Sequence, residues 1–380
     1  MDLSFPHPAR NRPRRVCRRD HHHPVLSPGG SEALPRQRVI STTIARRVAS
    51  PLAGDYPLAT TYHREALAAD LDVMVPTAEE AVAESTGLHA AGRADVALVD
   101  RTEWVTRNLG SFGHLLVPLE EALAERLGAD GKPSSVASMF MSVEMGALLG
   151  LLSRRVLGQY ELVLPTGEDG DVVSFVAPNL LEMERSNQFK PSDFRTWVAL
   201  HEMAHRAQFQ AVPWMKDYFN GLVESVVSTA IPRPGRFAET VREIIDRRLA
   251  GSPVIDDTGL IGLVSPPEQR EVLDSIQALM SLLEGHGHVV MDRLGAEMLT
   301  SNDRMSRVLT RRRQNQRESW FFRLTGLNLK MRQYEDGARF IDEVTERASW
   351  DTVSVAWTEP AALPTLAEIG DADKWLTRVA

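Results

Sequence analysis

The stretch Phe194-Arg-Thr-Trp-Val-Ala-Leu-His-Glu-Met-Ala-His-Arg-Ala-Gln-Phe209 constrains this chain more than any other. Its apolar residues recur at three- and four-residue intervals, the period of one helix face, and that face carries His201 and His205. Spaced i, i+4, the two imidazoles point the same way one turn apart, so both can reach a single tetrahedral Zn2+ at about 2.0–2.1 Å. Glu202 follows the first histidine and projects beside that ion. There a carboxylate can take a proton from an activated water and pass it to a leaving group. The competing reading is a buried amphipathic stripe of Phe194, Trp197, Val198, His201, Ala204, His205 and Phe209 that happens to hold two histidines. A capped start, an apolar frame and the helical period all agree with the metal-binding reading.

A catalytic zinc takes a third protein ligand. The long motif with a third histidine is excluded, because Gln208 stands where its glycine belongs and Ala211 where its histidine belongs. Two carboxylates compete. Glu224 lies nineteen residues beyond His205, in a segment with no other site-like residue. Glu284 lies in Leu282-Leu-Glu-Gly-His-Gly-His-Val-Val-Met-Asp292, where a charge on an otherwise apolar helix is costly unless paired or ligated. His288, one turn on, could hold a ligand from behind, with Asp292 a further turn away. Glu284 is the preferred third ligand and Glu224 the alternative, with His286 or His288 as lesser candidates.

The surrounding pattern predicts a mainly α (α+β) fold, a helical domain with a small β-hairpin or sheet beside the site helix. Residues 1–40, rich in Pro, Arg and His, read as a disordered basic tail. The body covers 41–350, a helical part over 41–157 and a site-bearing part over 158–350, and 351–380 form a C-terminal segment. Thr77 with Glu80 reads as a capping box, and Pro118 as an early helical position. Ser134–Leu157 reads as an apolar helix whose Met139, Met141 and Met145 fill the core. Tyr160–Leu164 and Val172–Ala177 predict a hairpin, the obvious β structure of the chain. Pro191 launches the site helix, with Ser192 or Asp193 as its cap and its end near Gln210. Residues 230–268 are loop-rich, and helices resume over Glu268–Leu299, 302–325 and 328–349.

The net charge of −8 is uneven: residues 1–38 hold +5, leaving −13 for the rest. A body this acidic repels a phosphate backbone, which argues against nucleic acid as a partner. A lone Cys17 excludes an intrachain disulfide and a cysteine-built zinc site. The tract His21-His22-His23 sits in a tail that supplies no fixed geometry. The basic N-terminus lacks the apolar stretch of a secretory signal, and the longest apolar region, Val136–Leu152, is short for a membrane span and interrupted by Glu144. A soluble, cytoplasmic protein with no membrane partner is the expectation; composition says nothing of its oligomeric state.

Several blocks together resemble the zincin-like metallopeptidase type 2 family, a group of actinobacterial hydrolases. They are Gly87-Leu-His-Ala-Ala-Gly-Arg-Ala-Asp-Val-Ala-Leu-Val-Asp100, Ser153-Arg-Arg-Val-Leu-Gly-Gln-Tyr160 and Val176-Ala-Pro-Asn179. The His201–His205 helix with Val212-Pro-Trp214, Leu283-Glu-Gly-His286 and Leu329-Lys-Met-Arg-Gln-Tyr-Glu-Asp-Gly337 complete the set. The likeness spans roughly residues 40–350. It implies a mostly helical zincin in which Glu284 completes the site. Zincins commonly place a Tyr or His donor at the developing oxyanion, and Tyr334 in the last block is a candidate for that role.

The expected function is zinc-dependent hydrolysis of a peptide or other amide bond, with His201, His205 and Glu284 on the metal and Glu202 as base. A zinc amidase on a small metabolite would use the same residues, in a closed pocket rather than an open groove. A non-catalytic, zinc-stabilised scaffold would have no use for Glu202. The hairpin strand Val172–Ala177 offers an edge along which an extended peptide could pair.

Overall fold

The computed structural model describes residues 40–115, 117, 135–162, 170–229, 267–308 and 328–380. The histidine tract, Pro118 and nearly all of the 230–268 excursion lie outside the described residues. Helix α1 (Thr42–Ala53) is capped by Ser41, whose hydroxyl accepts from the Ile44 amide, and buries Ala45, Ala49 and Ala53. Helix α2 (Tyr62–Thr86) starts at Thr61 and ends at Gly87, whose φ of 70° makes the left-handed turn out of the helix. Thr77 is therefore no cap: α2 runs straight through Pro76, and the Thr77 hydroxyl donates back to the Val73 carbonyl. The buried stripe Leu67, Leu71, Val75, Ala78 and Val82 continues across the proline. Its burial outweighs the roughly 3 kcal/mol that an interior proline costs.

Next come β1 (Asp95–Val99), α3 (Arg101–Leu115) and α4 (Ser135–Leu152). Helix α4 stops at Leu152, short of the expected Leu157. Met139 stands exposed rather than filling the core and Met141 is half-buried, while Met145 packs against the cluster that buries Leu149. Strands β2 (Gly158–Glu161) and β3 (Val172–Val176) pair antiparallel as the hairpin expectation holds, but β1 pairs parallel with the far side of β3, giving the order β1-β3-β2. Val172–Val176 is thus the central strand and has no edge to offer a peptide; β1 and β2 are the edges. The parallel pair has no local signature of the kind a hairpin turn leaves, because α3, α4 and β2 all lie between its two strands.

Helix α5 (Ala177–Asn187) begins where Pro178 stops β3, and α6 (Pro191–Gln210) follows after Gln188 turns the chain at a φ of 51°. The cap of α6 is Lys190, not Ser192 or Asp193, because Pro191 already occupies the first helical turn. Helices α7 (Met215–Thr229), α8 (Pro267–Met298) and α9 (Asn328–Arg347) are the remaining large elements among the described residues. Helices α8 and α9 cross at Gly285 and Gly337, where a Cβ on either residue would overlap the backbone of the other helix. The chain after α9 winds through short helical turns that bury Trp357 and Trp375 in the same core as α2, α6 and α8. Among the described residues, no helix is long and apolar enough to cross a membrane.

Candidate functional site

Helix α6 is held in place by buried ion pairs on the face away from its histidines. Arg195 is bidentate to Glu184 at 2.7 and 2.8 Å and reaches Asp70 at 2.6 Å. Arg206 pairs with Asp171 and, at 2.7 Å, with Glu79, tying α6 to α2 and to the entry of β3. At the helix start, Asp193 accepts from Thr300 Oγ1, Ser301 N and Ser301 Oγ just beyond the end of α8. Each partner bonds a charge that burial would otherwise penalise.

So fixed, α6 turns His201 and His205 into a cleft, their rings edge-to-face with centroids 4.6 Å apart. His205 Nε2 lies 3.2 Å from His201 Nε2. From the facing helix α8, Glu284 Oε2 comes within 3.4 Å of His205 Nε2 and 3.7 Å of His201 Nε2. Two donors bound tetrahedrally at about 2.0–2.1 Å to one zinc stand about 3.3 Å apart. The three separations match that edge length. Two imidazole nitrogens and a carboxylate converging this closely are all Lewis bases, and a cation between them reconciles their lone pairs; the donor set fits a zinc ion. Burial opposes charge on His205, but Glu284, assisted by Glu202 and Gln208, raises its pKa to about 9. The site thus favours positive charge at its centre.

Glu202 is buried beside this cluster, against β2. Burial raises its pKa, the charge of His205 lowers it, Glu284 raises it again and the Tyr160 backbone amide lowers it; the balance stands at about 7. A carboxyl poised there can both take and return a proton near neutrality. An ideal Cβ at Gly158 would lie 2.6 Å from Glu202 Cγ and 2.7 Å from Oε1, so a glycine at the start of β2 is what lets this carboxylate fit.

The cleft above the cluster has a volume of about 1220 Å3. One wall is apolar, with Trp104, Phe112, Leu149 and Leu157; the other is the face of α9 that presents Glu335, Asp342 and Glu346. Of the residues singled out from sequence, His201, His205 and Glu284 come together as one possible metal-binding group. Glu224 is exposed on α7 and outside that group. His288 lines the cleft and pairs with Asp292 at 3.4 Å along its own helix. His286 faces the core instead, stacked on Trp350 with ring centroids 5.7 Å apart, and burial holds it neutral with a pKa of about 3. Tyr334 belongs to α9, but its side chain lies outside the described residues. Two further residues shape the site. Gly158 carries no local sign of its contact. Gln208 follows His205 at i+3, on the same helix face, and that spacing was the available signal.

Residues 40–376 match the family model described as zincin-like metallopeptidase. A crystal structure of a candidate hydrolase with a novel fold from Chloroflexus aurantiacus is similar, with a TM-score of 0.65 and 31% identity over 89% of this chain and 98% of that one. No curated protein matches the chain.

Proposed function

The chain belongs to the zincin-like metallopeptidase family, and from that premise we propose that it is a zinc-dependent peptidase with Glu202 as its general base. The observation that carries this reading is the buried Glu202 carboxylate beside three donors spaced for one tetrahedral ion. His201, His205 and Glu284, which line the cleft, would hold the zinc. When bound, the ion supplies Lewis acidity, polarising a carbonyl and lowering the pKa of a water in the same cleft. Glu202 accepts that water's proton on a carboxylate oxygen and delivers it to the departing amine. Its burial keeps bulk water from competing for the proton, and the Tyr160 amide keeps the carboxylate aimed.

Cleft size favours a peptide over a small metabolite. Its volume of about 1220 Å3 exceeds the range of roughly 300–1,000 Å3 typical of small-molecule pockets. Strand β2 is at the sheet edge and begins at Gly158, in contact with Glu202. An extended chain added to β2 would run directly past the base. The test is elemental analysis for zinc in purified protein, followed by digestion of a mixed peptide library with Glu202→Gln as the control. Cleavage that disappears in the variant supports the reading. A wild-type protein that takes up no zinc, or one that holds zinc and leaves every peptide intact, counts against it.

A further inference from the structure

Gln208 is fully buried, and its amide joins three groups from two helices. Gln208 Oε1 lies 2.9 Å from His205 Nδ1; Gln208 Nε2 lies 3.0 Å from the Leu283 carbonyl oxygen and 2.9 Å from His286 Nδ1. A carbonyl only accepts, so the Leu283 contact decides which end of the amide carries the hydrogens. With Nε2 turned to α8, the amide oxygen faces His205, and it too only accepts. His205 must therefore carry a proton on Nδ1. When a metal displaces the remaining proton on Nε2, that nitrogen's lone pair faces the point shared with His201 and Glu284. The second amide hydrogen goes to His286 Nδ1, which accepts it, and so His286 carries its own proton on Nε2.

We propose that Gln208 is a positioning residue that selects the Nδ1–H tautomer of His205 and tethers α6 to the peptide unit preceding Glu284. The proposal deepens the zinc-site reading above and rests on it. One amide thereby governs the orientation of one ligand and the placement of another, since Leu283 and Glu284 are neighbours on α8. His286 extends the same chain of contacts to Trp350 and Trp357, whose rings lie 5.7 and 5.0 Å from its own. A leucine at position 208 would fill much the same space while deleting all three hydrogen bonds, which separates positioning from mere packing.

The experiment compares zinc affinity in wild type and Gln208→Leu by competition with a chromophoric chelator, with circular dichroism to establish that the variant is folded. The expected result is zinc bound about 10- to 100-fold more weakly by the variant, the usual effect of removing a partner behind a metal-bound histidine. A second measurement uses zinc-loaded wild type alone: two-dimensional 15N–1H spectra of the imidazoles should show His205 protonated on Nδ1 with Nε2 on the metal. Unchanged affinity in a folded Gln208→Leu, or a His205 protonated on Nε2, would overturn the proposal. Should the variant not fold, the wild-type spectrum decides. Wild type that binds no zinc overturns the zinc-site reading itself, an outcome distinct from zinc bound equally by both proteins.

Discussion

Gly158 and Glu202 are in contact so close that a methyl group at position 158 would lie 2.7 Å from the Glu202 carboxylate oxygen Oε1. Nothing at that distance can be accommodated without moving the carboxylate. Gly158→Ala is therefore expected to displace Glu202 and leave the His201, His205 and Glu284 group in place. A shift of about 1 Å in a catalytic group costs on the order of 100-fold in rate. Peptide hydrolysis should fall by about that factor with zinc content unchanged, measured by steady-state kinetics beside elemental analysis. Loss of zinc in step with activity would show that the glycine serves the metal site instead.

Glu202→Gln separates chemistry from binding more directly. The amide keeps the shape but has no proton-accepting oxygen of comparable basicity, so hydrolysis should drop by roughly 10²- to 10⁴-fold while zinc stays bound. Stability should hold or rise, because the substitution removes a carboxylate whose charge burial disfavours. A thermal melt checks this: a markedly lower melting temperature in Glu202→Gln would mean that the charge is needed for folding.

The two carboxylates weighed as third ligand give opposite expectations. Glu284 stands within 3.4 Å of His205 Nε2, whereas Glu224 is exposed. Glu284→Ala should lose most of the bound zinc, and Glu224→Ala should retain about one ion per chain. Excess zinc should also raise the melting temperature of wild type, since free ligand at about 1,000 times Kd contributes roughly 4 kcal/mol. That zinc-dependent shift should vanish in Glu284→Ala alone. Equal zinc content in both variants would rule Glu284 out as a ligand.

The parts of the molecule that could be read from sequence are those whose cause is local. His201, Glu202 and His205 share one helical turn and a half, so spacing alone aligns them. Glu284 was conspicuous because a carboxylate on an apolar face needs a partner. The helical body and the β2–β3 hairpin follow from short-range periods as well. What stayed hidden depends on distant residues. Gln208 acquires its partners from Leu283 and His286, more than seventy positions away. Strand β1 finds β3 only after a long crossover. Thr77 resembles a cap until the stripe of α2 is seen packed across Pro76 against the site helix. Gly158 opens a strand, and the reason for a glycine there is a carboxylate on another element.

Acid should loosen the site through Asp193, at the opposite end of α6 from Gln208. Burial alone would raise this carboxyl, but hydrogen bonds from Lys190, Ser301 and Thr300 more than reverse it, and its pKa falls to about 2. A group depressed in the folded state contributes stability above its unfolded pKa, near 3.8, and loses that contribution as pH falls through about 2. At neutral pH the shift corresponds to something on the order of 2 kcal/mol. Wild type should therefore exceed Asp193→Asn in urea stability by about that amount above pH 5, and the two curves should converge between pH 4 and 2. Since Thr300 and Ser301 lie just beyond the end of α8, the same loss frees one end of the pair of helices that carries His201, His205 and Glu284. Hydrogen exchange in the first turn of α6 should accordingly speed up in Asp193→Asn before the global transition. A stability gap that stays constant from pH 7 to pH 2 would show that Asp193 acts by packing and not by its charge.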